Sequence, residues 1–148
     1  MWRELIHKLN AECTFFAPAS HEQLAQLENA LKIPIPDELK SLLLETNGFY
    51  EDTGVWLIWP VNRIEDVNLD FRDDPDFKKL YMPFHTLLFF GDLGNGDQLA
   101  FPILDGLIRS SDIYTWNHEN DDREWAAFSI QDYLKRFLLM LYCLNYKQ

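Results

Sequence analysis

The sequence is poor in cysteine, in positive charge and in long apolar runs, and each shortage excludes a class of protein. Two cysteines, Cys13 and Cys143, cannot build a disulfide framework, so we expect two buried free thiols. Thirteen Lys and Arg against 24 Asp and Glu give a net charge of −11, and such a field repels phosphate backbones and anionic lipid headgroups. The uncharged run from Phe137 to Tyr146 is about half of the ~20 residues that a membrane-spanning helix needs, and residues 1–8 lack the apolar region of a signal peptide. These absences favour a cytoplasmic protein that binds neither nucleic acid nor a membrane.

The apolar content is high enough for one well-packed domain over residues 1–148. Apolar residues make up 47% of the chain and aromatic residues 15%, which excludes a disordered protein. Helical periodicity predicts four helices. They cover roughly the first dozen residues, a segment that opens at Ser20 with a capping box to Gln23, a segment from Pro36 to Asn47-Gly48, and a long segment that opens at Ser129.

Short apolar runs between turn residues predict strands in the middle of the chain. The runs are Val55 to Trp59, Thr86 to Phe90, Gln98 to Ile103, Ile113 to Trp116 and Trp125 to Phe128. We expect the acidic stretch from Asn62 to Lys79 to be a loop, and the segment from Gly91 to Asp97 to be the turn of a hairpin. The predicted fold is α+β, with N-terminal helices and one long C-terminal helix packed on a mainly antiparallel or mixed sheet of five or six strands.

Catalytic and metal-binding motifs are absent from the pattern of residues. The loop from Gly91 to Asp97 lacks both the Lys-Ser/Thr pair of a phosphate loop and the ligand spacing of an EF-hand. We therefore expect no metal and no cofactor. One catalytic alternative stays open, in which His118 acts as a general acid or base with Glu119 and Asp97 near it. The other interpretation is a solvated histidine in a loop.

Negative charge is concentrated in the second half of the chain. Residues 65–124 hold 14 Asp and Glu against five Lys and Arg, whereas residues 125–148 hold one against three. One interpretation is a solvated face that provides solubility, and the other is a surface complementary to a basic protein, with aromatic anchors. The residues that we expect to contact such a partner are Asp73, Asp74, Asp76, Asp92, Asp97, Trp116, Glu119, Asp121, Asp122 and Glu124.

Four short segments follow the order and spacing of a known family. They are Ile35-Pro36 with Leu39, Leu42-Leu43 and Asn47-Gly48 after it, Phe90-Gly91-Asp92 with Gly96-Asp97, Tyr114-Thr115-Trp116 with His118-Glu119, and Phe128-Ser129. On these motifs nearly the whole chain resembles the SUKH superfamily, which is named partly for the yeast cell-wall assembly regulator domain and consists mostly of bacterial immunity proteins. The resemblance implies an α+β binding scaffold that is not an enzyme and carries no catalytic or metal-ligating residues.

The resemblance also implies a partner. The chain is expected to bind and neutralise a cognate protein toxin, often a nuclease or deaminase, and nuclease toxins are commonly basic. The alternative is a regulatory adaptor that binds a cellular protein without any toxin. The run from Phe137 to Tyr146 is either deeply buried, which we favour, or part of a dimer contact, so we expect a monomer or a weak homodimer.

Overall fold

The computed structural model describes residues 1–9 and 12–145. Within those residues the chain forms six α-helices, seven strands and one short 3₁₀ helix. The helices are α1 (Trp2–Leu9), α2 (His21–Leu31), α3 (Asp37–Leu43), α4 (Val61–Asp73), α5 (Pro75–Leu80) and α6 (Ile130–Asn145), and the 3₁₀ helix is Phe84–Thr86. The strands are β1 (Thr14–Phe15), β2 (Phe49–Tyr50), β3 (Trp56–Ile58), β4 (Leu87–Asp92), β5 (Gln98–Pro102), β6 (Ile113–Trp116) and β7 (Arg123–Ala127).

The strands form two antiparallel sheets, in the orders β1-β2-β3 and β4-β5-β6-β7. The sheets approach each other between β3 and β4, where the Trp59 backbone N–H donates to the Phe90 carbonyl at 2.8 Å. Gly91 permits this approach, because a Cβ there would lie 2.0 Å from the Leu57 carbonyl oxygen. The α+β prediction is confirmed. There are seven strands in two sheets rather than five or six in one, because β1 and β2 have two residues each and are too short to show an alternating pattern.

The helices and both sheets pack around one hydrophobic core. Fully buried side chains come from α1, α2, α3, β5 and α6, for which Ile6, Leu27, Leu42, Phe101 and Leu134 are examples. The helical residues lie on apolar stripes with the period of 3.6 that the sequence shows, whereas β5 is buried on both faces at Leu99, Ala100 and Phe101. The core therefore unites the N-terminal helix, the two sheets and the C-terminal helix.

The predicted beginnings of two helices are confirmed by their capping hydrogen bonds. Ser20 Oγ accepts from the Gln23 backbone N–H at 3.1 Å, and Gln23 Oε1 accepts from the Ser20 backbone N–H at 2.8 Å. This is the capping box that begins α2. At α6, Ser129 Oγ accepts from the Asp132 backbone N–H at 3.0 Å.

The predicted end of the third helix at Asn47-Gly48 is wrong. Helix α3 ends at Leu43, and Asn47 instead accepts a hydrogen bond from the Val61 backbone N–H at 2.9 Å. Asn47 thus satisfies a free donor at the beginning of α4, which follows Pro60 and has no side-chain cap of its own. The pair does adopt left-handed backbone at Gly48, with φ of 80°, but in the turn that leads to β2.

The stretch from Asn62 to Lys79 is helical, so the prediction of a loop there is wrong. Helix α4 is amphipathic, with Ile64 and Asn68 buried and Asp66 and Asp70 exposed. The many aspartates on the solvent side give this stretch the composition of a polar loop. Its buried residues nevertheless recur at helical spacing. Helix α5 then begins at Pro75, a favourable first residue for a helix.

Asn68 fixes α4 on the edge of the four-stranded sheet. Its side-chain amide donates to the Phe89 carbonyl at 2.9 Å, and its side-chain oxygen accepts from the Phe89 backbone N–H at 2.9 Å. The amide is buried and also donates to the Ile64 carbonyl. The Asn68 side chain therefore satisfies both the N–H and the carbonyl of Phe89, on the edge of β4 that faces away from β5.

Helix α6 is buried along one face only. Leu134 and Leu138 are fully buried, whereas Leu139, Met140 and Leu144 are about half exposed. The expected deep burial of the whole run from Phe137 is therefore wrong for this outer face, and Tyr146 lies outside the described residues. Both thiols are free, but Cys13 is half-buried and Cys143 is exposed, so the expectation of two buried thiols does not hold. No described helix combines the length and the apolar character needed to cross a membrane.

Candidate partner-binding surface

Three turns meet at one end of the four-stranded sheet. They are the β4–β5 turn, the β6–β7 turn and the segment that joins α5 to the 3₁₀ helix. The Tyr81 hydroxyl donates to the His118 carbonyl at 2.8 Å, and the Met82 backbone N–H donates to Asp121 Oδ2 at 2.8 Å. His118 Nδ1 lies 2.7 Å from Asp97 Oδ1. We call residues 81–83, 92–97 and 117–124 the hairpin end.

Asp121 holds the hairpin end together and is not free to meet a partner. Its Oδ1 accepts from the Trp116 indole N–H at 2.7 Å and forms an ion pair with Arg123 at 3.1 Å, while its Oδ2 accepts from Met82. Its backbone is left-handed, with φ of 62°, a conformation that Asp tolerates better than most residues. The negative charge of Asp121 is thus neutralised within the protein.

Asp97 links the two hairpin turns through His118. The Asp97 carboxylate accepts from the His118 backbone N–H at 3.1 Å in addition to its contact with the imidazole. Although burial alone would raise the pKa of Asp97, the hydrogen bonds from His118 lower that pKa below its ordinary value. Asp97 is therefore ionised at neutral pH, and its carboxylate is directed to His118 rather than to solvent.

Asp92 is also paired inside the protein. Its Oδ2 accepts from the Trp59 indole N–H at 2.9 Å and forms an ion pair with Arg63 at 2.8 Å. The Arg63 guanidinium lies over the Trp59 ring, 4.8 Å from the ring centroid, an arrangement that favours a cation. Asp92 therefore connects β4 to α4 and contributes little to the external field.

Trp116 lies in the core, which corrects its assignment to a surface. The side chain is 2% exposed and packs edge-on against Phe84 and Phe89, with ring centroids 5.3 and 5.6 Å away. Such a tryptophan buries its whole ring and needs only one partner, for its N–H. Asp121 supplies that partner, so the indole has no free face to offer.

The three candidate aspartates of the α4–α5 junction differ in role. Asp74 caps α5, because its Oδ1 accepts from the backbone N–H groups of Asp76 and Phe77 at 2.8 and 3.3 Å. Asp73 and Asp76 are exposed, and neither side chain forms an ion pair among the residues that the structure describes. Asp73 and Asp76 are therefore available to a partner.

Three further acids are exposed and unpaired on the β6–β7 hairpin. Glu119, Asp122 and Glu124 are exposed, and no basic side chain in residues 1–9 and 12–145 pairs with them. The Asp122 side chain accepts only from the neutral Asn120 amide, at 3.0 Å. We call Glu119, Asp122 and Glu124 the hairpin acids, and their charge is directed to solvent.

Two exposed aromatic residues follow the hairpin acids along the chain. Trp125 is one of the aromatic residues interleaved with acids from which the sequence predicts anchors, whereas Phe128 is not. Trp125, in β7, is 41% exposed and Phe128, just beyond it, is 62% exposed, with ring centroids 4.7 Å apart. Asp112 accepts from the Trp125 indole N–H at 3.2 Å, and the Arg136 guanidinium lies 5.6 Å from the ring centroid. Among the described strands β7 pairs only with β6, so Trp125 lies in the edge strand of a sheet and Phe128 follows it directly. The sequence held one signal for this, because Trp125 to Phe128 is the last predicted strand in a series of hairpins, and the last strand of such a series commonly lies at the edge of its sheet.

The structure brings together two of the three residues of the catalytic alternative. His118 and Asp97 are in contact, but Glu119 faces solvent and only its backbone N–H is bonded, to Asn117 at 2.9 Å. Within the described residues no group of three or more His, Cys, Asp or Glu side chains is placed to hold a metal ion. The Asp97–His118 contact acts as a link between two turns.

The comparisons with known proteins agree with this architecture. The SUKH_6 family model, described as SMI1-KNR4 cell-wall, matches residues 21–134. That range contains the whole four-stranded sheet, strands β2 and β3 of the three-stranded sheet, helices α2 to α5 and all ten candidate residues, and it ends within α6. No curated protein is significantly similar to the chain.

Proposed function

Because the chain belongs to the SUKH_6 family, described as SMI1-KNR4 cell-wall, we propose that it works by binding another protein, and that this partner is a basic toxin which it neutralises. The proposal assigns no reaction to the chain. It places the contact at the hairpin acids, with Trp125 and Phe128 as anchors. Asp73 and Asp76 form a second acidic group at the junction of α4 and α5.

One observation carries the proposal, namely that Glu119, Asp122 and Glu124, which are exposed and unpaired among the described residues, share an edge hairpin with the exposed Trp125, whose ring contacts that of Phe128. In a protein with a net charge of −11, most acids serve solubility alone. Here unpaired carboxylates and exposed aromatic rings come from one hairpin at a sheet edge and the residue that follows it, and that combination is typical of an interface rather than of a solvated face. Large aromatic side chains supply binding energy, while charges at the rim accelerate encounter.

The other properties of the proposed protein follow from the same features. Free thiols at Cys13 and Cys143 suit a reducing compartment, so we place the protein in the cytoplasm. Trp2 and Leu138 lie before and after the matched range, yet both belong to the same core cluster as the matched elements. We therefore treat residues 1–148 as one domain, and a monomer or a weak homodimer as its state.

The test is a binding experiment with the product of the neighbouring gene, the candidate toxin. Its association with the chain is measured at low and at high salt by surface plasmon resonance. The test variant carries Glu119→Lys, Asp122→Lys and Glu124→Lys, which leave Asp121 and its bonds intact. The control variant reverses the charge of three exposed acids outside the hairpin end, Glu22, Asp52 and Asp105, so that both variants have the same net charge.

We expect the test variant to associate about tenfold more slowly or worse at low salt, with a smaller change in dissociation. The control variant is expected to keep most of the association rate, because its charges lie outside the contact. A salt-independent association rate, or equal losses in both variants, would remove the hairpin acids from the interface. A separate Trp125→Ala and Phe128→Ala variant should accelerate dissociation.

A second candidate function rests on the description of the family model. That description refers to the cell wall rather than to a toxin, so a cellular partner without any toxin is the alternative. The same variants distinguish the two functions when growth is recorded with and without the neighbouring gene. A growth defect of the test variant that persists after deletion of the neighbouring gene would favour the cellular partner.

A further inference from the structure

A cavity of about 240 Å³ lies between the end of α4, α5 and the 3₁₀ helix. Its walls combine aromatic rings with basic side chains. The aromatic walls are Phe71, Phe77, Tyr81 and Phe84, and the basic walls are Arg72, Lys78 and His85. No acidic side chain of residues 1–9 and 12–145 lines this cavity, although Asp and Glu outnumber Lys and Arg by 24 to 13 in the sequence.

Arg72 is a basic residue with a buried donor that lacks a partner. Its Nε is buried without a hydrogen-bond partner, and its Nη2 has only a long contact of 3.4 Å with the Leu87 carbonyl. No carboxylate forms an ion pair with it in the described part of the chain. Burial lowers the pKa of Arg72 below its ordinary value, and the nearby charge of Asp73 only partly opposes this. A half-buried guanidinium in this condition is costly unless an anion completes its bonds.

The positive charge continues beyond the first cavity. A second cavity of about 140 Å³ shares Arg72 and His85 with the first and adds Lys32. Lys32, Lys78 and His85 are exposed, so their side chains can move toward an anion held by Arg72. A guanidinium is suited to this role because its planar donors match the two oxygens of a carboxylate or phosphate.

We propose that this cavity is a binding site for a small aromatic anion, an aryl phosphate or an aryl carboxylate, whose charged group pairs with Arg72 and Lys78 while its ring packs on the aromatic walls. The volume is below the ~300 Å³ at which pockets for drug-sized ligands begin, so one ring with one anionic group is the largest occupant that fits. Ring-to-ring packing adds to the burial of the apolar body. The site borders the hairpin end, since Tyr81, Met82 and Pro83 line it, but it uses none of the hairpin acids and neither Trp125 nor Phe128.

The test is a titration of the full chain with phenyl phosphate and with benzoate, followed by two-dimensional NMR. Benzyl alcohol supplies the ring without the charge, and inorganic phosphate supplies the charge without the ring. A ligand of about ten non-hydrogen atoms is expected to bind with a Kd near or below about 1 mM. Saturable shifts confined to residues 71–86 by either aryl anion, with neither comparator saturating in the same range, are the expected result.

Two neighbouring lysines provide matched variants. Lys78 lines the cavity, whereas Lys79, the next residue of α5, is exposed and does not. Lys78→Gln should weaken binding about two- to fivefold, and Lys79→Gln should leave the Kd unchanged. Arg72→Gln should weaken binding at least about tenfold, since it removes a charge-assisted pair.

Three results would each overturn the proposal. One is the absence of saturable shifts with both aryl anions, another is equal affinity for benzyl alcohol or inorganic phosphate, and the third is an equal loss in Lys78→Gln and Lys79→Gln. If Arg72→Gln does not fold, the two lysine variants still decide the matter. Failure here leaves the proposed protein interface untouched, because none of the hairpin acids lines the cavity.

Discussion

Asp121 is expected to be the most sensitive acid of the hairpin end. Asp121→Ala leaves the buried Trp116 indole N–H without an acceptor, which costs about 1–3 kcal/mol. It also leaves Arg123 unpaired, and because the two side chains are only 14% and 12% exposed, the loss exceeds the ~1 kcal/mol of a surface pair. Alanine at a φ of 62° adds about 1 kcal/mol relative to aspartate. The free energy of unfolding should therefore fall by about 3–5 kcal/mol.

Urea denaturation followed by tryptophan fluorescence and by circular dichroism measures this loss. For a chain of this length the predicted loss corresponds to a decrease in Tm of roughly 10–15 °C. The matched control is Asp122→Ala, since Asp122 is the adjacent exposed acid and its removal should change the stability by less than about 0.5 kcal/mol. A loss below about 1 kcal/mol in Asp121→Ala, or equal losses in both variants, would refute the assignment of Asp121 to a structural role.

Two further predictions concern the sheet junction and the thiols. Gly91→Ala should reduce the free energy of unfolding by at least about 3 kcal/mol, because its Cβ would lie 2.0 Å from a carbonyl oxygen of β3. Gly54→Ala, which meets nothing within 4 Å, should lose only about 1 kcal/mol for its φ, and similar losses in urea denaturation of the two variants would contradict the close approach. With a thiol reagent at pH 8, Cys143 should react at once because it is exposed. Cys13 should react roughly a thousandfold more slowly, because burial, aided by two nearby carboxylates, raises its pKa to about 12, and a single fast phase for both thiols would exclude this.

The acidic half of the chain shows why a charge count does not identify a binding surface. Asp92, Asp97 and Asp121 look like the hairpin acids in the sequence, since all lie in polar turns. Asp92 and Asp97 pair with Arg63 and His118, which lie 29 and 21 positions away in the chain. Asp121 pairs with the nearby Arg123, but it also accepts from the Met82 backbone N–H, 39 positions away. An aspartate that is neutralised across such a separation cannot be recognised from its neighbours in the chain.

The cavity at Arg72 was hidden for a related reason. A single arginine in an acidic stretch looks like a surface residue that its neighbours neutralise. Helix formation over Val61–Asp73 turns Arg72 toward the sheet while the exposed Asp70 and Asp73 face solvent. The aspartates nearest to Arg72 in the sequence are therefore not its partners, because the helix directs the arginine and the aspartates to different sides.

The sequence by itself determined the features that depend on residues close together in the chain. These are the apolar stripes of α2, α3 and α6, the capping box at Ser20, the hairpin at Gly91 to Asp97 and the α+β class. Only the tertiary structure decided which acids are free, that α4 attaches to β4 through Asn68, and that Trp116 is core. The physical reason is range, because periodicity and capping act within a few residues, whereas hydrogen bonds, ion pairs and burial join segments that the chain separates.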